Sequence, residues 1–429
     1  MDADAARRHL EEVGQAHLVQ HASTLEPGAA DAFLQDAARQ PWASLREALA
    51  APKEGVTPSL RPPHALTWKR QSNEGGIRRR LAGLGRGLIQ SGRVATLLLA
   101  GGQGTRLGLD GPKGNFVLGP EDDRTLFAIL AERVAAAGRD AVRPPPFYIL
   151  VSAATEDATR KAFEDPEQYG LLPEQVHIIR QGTLPVLDAD GKAVLEAPGR
   201  LATAPDGHGG AIDALAREGI IERLREDEVD VLTTFQVDNP LGLPLDPVML
   251  GWMVERRAQA GGKAIRRLPD EKVGVYARNI QGRHLVVEYS EFPDGGMPED
   301  LVMGSIALHG FGVRWLSDLL ASGVQMPLHL AHKKVPYLAA DGTTKKPDAP
   351  NAYKFEKFIF DVIPHAERVE VHEVAREREF APVKNAEGAD SPATARALVE
   401  AEVKRQLEAA GTPVAGPVSL RPREMADEG

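Results

Sequence analysis

Leu99-Ala-Gly-Gly-Gln-Gly-Thr-Arg-Leu-Gly108 sets Gly101, Gly102 and Gly104 directly behind an apolar run, with Pro112-Lys113-Gly114 close after. Glycines without a Cβ let backbone N–H groups approach an anion closely. Arg106 and Lys113 bring fixed positive charge to the same stretch. Amide donors for oxygens and cations for accumulated charge are together what a nucleoside triphosphate needs. Gly101, Gly102, Gln103, Gly104 and Thr105 are therefore candidate phosphate contacts, with Arg106 and Lys113 as the charged members. Two familiar phosphate loops do not fit. A dinucleotide fingerprint requires G-x-G-x-x-G, and after Gly102 and Gly104 the third glycine comes one residue late, at Gly108. A Walker A loop requires Gly-Lys followed by Ser or Thr, whereas Lys113 lies between Pro112 and Gly114. Without the two cations the same glycines would read as a tight strand-to-helix turn.

Asp238 follows the apolar run Val229–Val237, and Asn239-Pro240 ends it. A carboxylate at the carboxyl end of a parallel strand stands where α/β sheets hold ligands, and it suits Mg²⁺ bridging phosphate oxygens. The plain alternative is a turn cap. Ala204-Pro-Asp-Gly-His-Gly-Gly210 is a second glycine-rich loop that opens a helix. It reads as a place for close backbone approach to a flat base or sugar, with His208 as a side-chain contact, or else as a helix start capped by Asp206. Gln181-Gly182 could read a base edge. Glu288 and Tyr289, in Val286–Glu291, could meet sugar hydroxyls or simply pair within a sheet. Phe355, Phe358 and Phe360 in Lys354–Asp361 read as core, and Lys384 reads as a surface charge. His17 with His21, and His329 with His332, could each share a helix face, but neither pair has a third ligand in an obvious motif, so they read as structural or surface histidines. HExxH and G-x-S-x-G motifs are absent.

Several elements must hold these residues. Residues 1–90 carry helical periodicity (Leu10, Val13, Leu18; Phe33, Ala37; Leu45, Leu49), interrupted by Pro52, Pro58, Pro62 and Pro63, and are expected to form a helical lobe. Apolar runs at 94–100, 147–151, 176–179 and 229–237 alternate with helical patterns at 126–137, 211–216 and 248–257, which predicts a doubly wound α/β sheet within a catalytic domain spanning 91–388. Residues 273–308 read as an antiparallel insertion turning at Gln281-Gly282 and walling a substrate cleft. Residues 389–429 read as one helix, about 393–407, and a loosely ordered tail. The chain has 429 residues, 42% of them hydrophobic, enough for a large core. A net charge of −10 and the lack of a basic stripe argue against nucleic acid. The absence of cysteine excludes disulfides and thiolate chemistry. The N-terminus has no signal-peptide h-region and no run is long enough to span a membrane, so a cytoplasmic location is expected.

From about residue 93 to about 396 the chain resembles the UDP-N-acetylhexosamine pyrophosphorylases of the UDP-sugar pyrophosphorylase family. The ordered segments LLLAGGQGTRLG, PKG, QGTLP, APDGHGG, VDN, VVEYSE, EKFIFD, PVKNAEG and SPATAR carry the likeness. The resemblance implies a Rossmann-like, GT-A-like nucleotidyltransferase fold with a mixed sheet and a short C-terminal extension. It implies UTP and a sugar 1-phosphate as substrates, and UDP-sugar and pyrophosphate as products. Gly101, Gly102 and the loop through Arg106 would hold the triphosphate, with Lys113 and Lys384 on the phosphates. Gln181 and Gly207 would hold the uracil, and Asp238 would ligate Mg²⁺. Glu288 and Tyr289 would face the sugar, with Phe358 and Phe360 lining its pocket. Two positions depart from the family. His208 stands where its amino-sugar enzymes usually have the asparagine of PDGNGG, and Val302-Met-Gly-Ser305 replaces an N-A-G-N segment. Both fall on sugar recognition, which leaves glucose or galactose 1-phosphate as an alternative substrate. A UDP-sugar-binding protein without catalysis is a further alternative.

Overall fold

A computed structural model describes every residue except 52–58, 74, 120–122, 270, 293–296, 413 and 415–429. The chain divides into two compact units. The larger comprises residues 55–180, 214–324 and 360–429, and the smaller 1–54, 181–213 and 325–359.

The larger unit is built on a ten-stranded sheet: β1 (Ala65–Leu66), β2 (Val94–Leu99), β3 (Phe147–Val151), β4 (Val176–Arg180), β5 (Val231–Gln236), β6 (Ala260–Arg266), β7 (Val275–Arg278), β8 (His284–Val287), β9 (Met303–Gly312) and β10 (Val369–Glu373). The spatial order is β1-β10-β6-β9-β5-β2-β3-β4, with β7 joined to β8 and to β9. Neighbours along this order are parallel except at β9, which is antiparallel to both β6 and β5. Continuous apolar runs make β2 and β3 buried at every position, as strands covered on both faces require. From β2 the chain winds outward through β3 and β4, then returns to β5 on the other flank of β2. The order therefore reverses between β2 and β5, where an α/β sheet opens a crevice at its carboxyl edge.

The helix Leu126–Ala137 begins at Thr125, whose side chain accepts from the Ala128 N–H, and ends at Gly138. A Cβ at Gly138 would lie 2.4 Å from Pro145. Helices Gly75–Gln90 and Pro247–Arg256 cross so closely that a Cβ at Gly85 would fall 1.9 Å from the Pro247 carbonyl oxygen, and one at Gly251 equally near that of Leu81. The segment read as an insertion splits in two. β7 and β8 do form an antiparallel hairpin, turning through Gly282 at φ 79°. β9 instead runs through the centre of the main sheet, because its nearly continuous burial needs a strand on each side.

The smaller unit contains helices Ala3–Glu12, Ala16–Ala22, Pro27–Ala38 and Trp42–Ala50, together with four two-stranded ribbons. Leu10, Leu18, Leu34, Trp42 and Leu45 share its core with Leu187, Leu201 and Phe355. His17 Nε2 hydrogen-bonds with the Ala193 carbonyl at 2.9 Å, and His21 Nε2 accepts from the Gly199 N–H at 3.0 Å, so this pair is structural.

The sequence divisions at 90 and 388 differ from these units. Helices Trp68–Asn73 and Gly75–Gln90 belong with the sheet, whereas residues 1–54 share a core with 181–213 and 325–359. The C-terminal helix Pro392–Ala409 also belongs to the larger unit, with Ala395 fully buried and the Arg396 guanidinium donating to the Leu118 carbonyl at 2.6 Å. The Pro- and charge-rich end from 415 lies outside the described residues.

Candidate active site

β2 and β5 pair through Leu99 and Gln236, and the Val237 N–H donates to the Leu99 carbonyl at 3.3 Å. The loops that follow thus leave the sheet together at the switch point. After β2 the chain folds back on itself: the Gly104 N–H donates to Gly111 C=O at 2.8 Å, and the Lys113 N–H to Gly102 C=O at 3.0 Å. Gly108 closes the turn Thr105–Leu107 in the left-handed region, φ 73°. The N–H groups of Gly101, Gly102, Gln103, Thr105 and Arg106 find no acceptor among the described residues. A Cβ added at Gly102 would meet nothing within 4 Å. Arg106 is exposed and has no ion-pair partner among the described residues. Gly114 has an internal reason instead, since its Cβ would lie 2.2 Å from the Phe127 ring.

Lys113 Nζ lies 3.6 Å from the Asp238 carboxylate, and both side chains are largely buried. The segment carrying Lys384 comes to Asp238 from far along the sequence. The Val383 N–H donates to the Asp238 carbonyl at 2.8 Å, and Lys384 Nζ lies 3.7 Å from Asp390 and over the Phe380 ring. Composition alone reads Lys384 as a surface charge, but its neighbour's backbone is tied to Asp238. Asn239, read from the sequence only as a strand breaker, supplies two further ties. Its Nδ2 donates to Glu379 C=O at 2.7 Å and its Oδ1 accepts from the Ala381 N–H at 3.0 Å. No signal in the sequence pairs residue 239 with 379–381; only the fold does.

The glycine-rich loop of the smaller unit has a different construction. Asp206 C=O accepts from the Lys357 N–H, and Lys357 C=O from the Gly209 N–H, both at 2.8 Å. Gly207 has φ +81°, and its Cβ would stand 2.4 Å from the Lys357 carbonyl oxygen. A Cβ at Gly210 would stand 2.0 Å from the Asp206 carboxylate, and one at Gly182 2.5 Å from it. These glycines, read from the sequence as room for a ligand, are demanded by the chain itself. Gln181 is buried, and the Gly207 N–H has no acceptor among the described residues.

His208 Nδ1 accepts from the Ile359 N–H at 3.1 Å, which puts the proton of the neutral ring on Nε2. The ring stacks on Phe358 at 5.3 Å, and Phe358 stacks on His329 at 4.2 Å. Burial, helped by His329, brings the His208 pKa down to about 4, so the ring is neutral at pH 7. His329 and His332 lie on a strand, His329–Lys333, and not on a helix; His332 stacks on Tyr353.

Of the remaining residues expected at the sugar, Glu288 and Ser305 both border Gly274: the Ser305 N–H donates to its carbonyl at 2.7 Å, and a Cβ there would stand 3.0 Å from the Glu288 carboxylate. The Glu288 N–H donates to the Glu291 carboxylate at 3.0 Å in a short cap, and Tyr289 beside it is 44% exposed. Ser305 is buried on β9. Its hydroxyl accepts from the Ala307 N–H at 3.2 Å and is hydrogen-bonded to Tyr276, whose own hydroxyl pairs with His309 Nδ1 at 2.9 Å. Phe360 is buried edge-on to His309. Ser305 and Phe360 thus share an internal network of the larger unit, while Phe358 belongs to the smaller one.

Residues 86–391 match the UTP–glucose-1-phosphate uridylyltransferase family. The chain is 36% identical to UDP-N-acetylhexosamine pyrophosphorylase-like protein 1 of Xenopus tropicalis, over 96% of this chain and 86% of that one. It is 38% identical to UDP-N-acetylglucosamine diphosphorylase 1 of Arabidopsis thaliana, over 75% and 67%. Among solved structures, the uridine diphosphate N-acetylglucosamine pyrophosphorylase of Trypanosoma brucei superposes with a TM-score of 0.80 at 26% identity, covering 95% of this chain and 86% of that one. The chain belongs to the UTP–glucose-1-phosphate uridylyltransferase family and is a nucleotidyltransferase that moves a uridylyl group from UTP to a sugar 1-phosphate.

Proposed function

We propose that the acceptor is an N-acetylhexosamine 1-phosphate, N-acetylglucosamine 1-phosphate first, and that the phosphates are handled by Gly101–Arg106, Lys113, Asp238 and Lys384. The row of backbone N–H groups without acceptors beside the Lys113–Asp238 pair is the observation that supports this reading most. A phosphate oxygen of the sugar 1-phosphate attacks the α-phosphorus of UTP. A new P–O bond forms as the bond to the pyrophosphate oxygen breaks, and the electron pair leaves with pyrophosphate. The attacking oxygen is already anionic at neutral pH, so no general base is required. Catalysis then consists of positioning and charge neutralisation. Arg106, Lys113 and Lys384 offset negative charge on the phosphates, and the free N–H groups orient the triphosphate. Gln181 and Gly207 are assigned to the uracil, and His208, Glu288, Tyr289 and Phe358 to the sugar.

Asp238 is a single carboxylate, and the described residues contain no group of three or more acidic, His or Cys side chains that could hold a metal ion. One carboxylate with phosphate oxygens completing the shell is a usual way of holding Mg²⁺, so the residues fit that ion. When bound it supplies further neutralisation of phosphate charge.

The names of the relatives favour the amino sugar, while the family description names glucose 1-phosphate. Pyrophosphate release from UTP with N-acetylglucosamine, N-acetylgalactosamine, glucose and galactose 1-phosphates is the deciding measurement. Highest kcat/KM with an N-acetylhexosamine phosphate is expected; preference for glucose or galactose 1-phosphate refutes the sugar assignment. UDP-sugar binding without any pyrophosphate release would leave only a binding role. No described helix is long and apolar enough to cross a membrane, in keeping with a cytoplasmic site of action.

A further inference from the structure

Lys263 lies on β6 with its side chain wholly buried. A buried ammonium is tolerated only when its charge and all its donors are met. Its Nζ lies 2.9 Å from the Asp246 carboxylate, pairs with the Glu379 carboxylate, and donates to the Leu243 carbonyl at 3.3 Å. Three acceptors therefore meet the three ammonium protons. The acceptors come from two segments that the sheet does not otherwise join. Leu243 and Asp246 end the loop that begins at Asp238, and Asp246 also caps helix Pro247–Arg256 through the Val248 N–H. Glu379 begins the segment that ends at Lys384.

From this anchor the two segments run side by side. Asn239 holds Glu379 and Ala381, and the Asp238 carbonyl holds Val383, as described above. A buried ion cluster adds little stability over an apolar core of the same volume, because desolvation offsets attraction. What it can supply is a fixed geometry. Here the geometry fixed is that of the two segments carrying Asp238 and Lys384.

We infer that Lys263, with Glu379 and Asp246, is a positioning residue for uridylyl transfer: it clamps segment 379–384 to loop 238–246 and so fixes the backbone that carries Lys384 beside that of Asp238. The inference rests on the assignment of Asp238 and Lys384 to the phosphates. It concerns residues that touch no substrate and act only through those that do.

The test compares Lys263→Met and the near-isosteric Glu379→Gln with wild type, and includes Asp238→Ala as a control. Glu379→Gln keeps an acceptor for Lys263 and leaves the Lys263–Asp246 pair neutral, so it serves if Lys263→Met does not fold. The expected result is a kcat lowered about 10-fold in Glu379→Gln and up to ~10²-fold in Lys263→Met, since small misplacements of reacting groups cost that much. KM for the sugar 1-phosphate should stay within about two-fold, as for a loss confined to transition-state stabilisation. Amide exchange at Ala381 and Val383 should quicken while that of Leu97 and Leu98 in β2 is unchanged, a pattern that general destabilisation does not produce. Wild-type kcat in Glu379→Gln overturns the inference, as does a lowered kcat with unaltered exchange at Ala381 and Val383. If Asp238→Ala itself turns over normally, the assignment of the phosphate site has failed; if Asp238→Ala is inactive while Glu379→Gln is not, only the clamp has failed.

Discussion

The loops Gly101–Gly108 and Pro205–Gly210 resemble each other in composition, but their glycines answer to different constraints. In the second loop the requirement is internal. Gly207, Gly209 and Gly210 would each drive a Cβ into Lys357, Phe358 or Asp206 at 2.0–2.7 Å. In the first, Gly104 is crowded by Leu109 and Gly108 needs its positive φ, yet no described residue comes within 4 Å of where a Cβ on Gly102 would stand. Around Gly102 the N–H groups have no acceptors among the described residues, and cations stand nearby. A glycine that the fold requires and one that it does not cannot be told apart by residue type. The space beyond the Cβ distinguishes them.

The largest effects should come from the cations and the carboxylate beside the first loop. Lys113→Ala and Asp238→Ala are each expected to lower kcat by ~10²-fold or more while melting within a few degrees of wild type. Normal turnover in either would remove that residue from the phosphate assignment. The next comparison exchanges the two loops' constraints. Gly209→Ala should destabilise the protein by about 1–3 kcal/mol, because a methyl group would meet the backbone of Lys357 and Phe358, read as a lower melting temperature. Gly102→Ala should melt like wild type and instead raise the KM for UTP by roughly 10-fold, a loss on the scale of one charged hydrogen bond. If the two variants behaved alike, the distinction between the loops would collapse.

A smaller effect is expected on choice of sugar. His208→Asn should change the ratio of kcat/KM values between N-acetylglucosamine and glucose 1-phosphates by about 10-fold, consistent with one altered polar contact; an unchanged ratio would take His208 out of sugar selection.

The smallest effect is on acid stability. The pKa of His208 in the folded protein, about 4, is below its unfolded value. As pH falls from about 6.5 towards 4, the unfolded chain takes up a proton that the native ring refuses, so the stability this residue contributes above pH 6.5 is lost across that window. His284 and His372 are shifted in the same direction by burial, so His208→Asn should reduce the fall in melting temperature between pH 7 and 4.5 without abolishing it. An identical fall in wild type and variant would show that His208 titrates normally.

Much of the sheet was legible because burial on both faces leaves a direct trace. β2, β3 and β5 each carry an apolar run where the sequence pattern places a strand, and the partly buried edge strand β4 was marked by its shorter run. The helices of residues 3–50 follow from amphipathic spacing in the same way. β9 was less readable, since a central antiparallel strand beginning at Met303 looks in sequence like the end of the β7–β8 hairpin. The unit boundaries were not readable at all, because residues 1–54 find their core partners at 181–213 and 325–359.

The sequence by itself determined the make-up of the proposed phosphate loop: the strand, its glycines, Arg106 and Lys113 are contiguous, and local spacing alone excludes the dinucleotide and Walker arrangements. Tertiary structure decided what stands beside that loop. Asp238 meets Lys113 because β2 and β5 flank the switch point, and the backbone that carries Lys384 lies beside Asp238 because Asn239 and Lys263 fasten a segment far along the chain. Such pairings leave no periodicity or motif at either end. They arise only when burial forces every donor and charge to find a partner, whatever its place in the sequence.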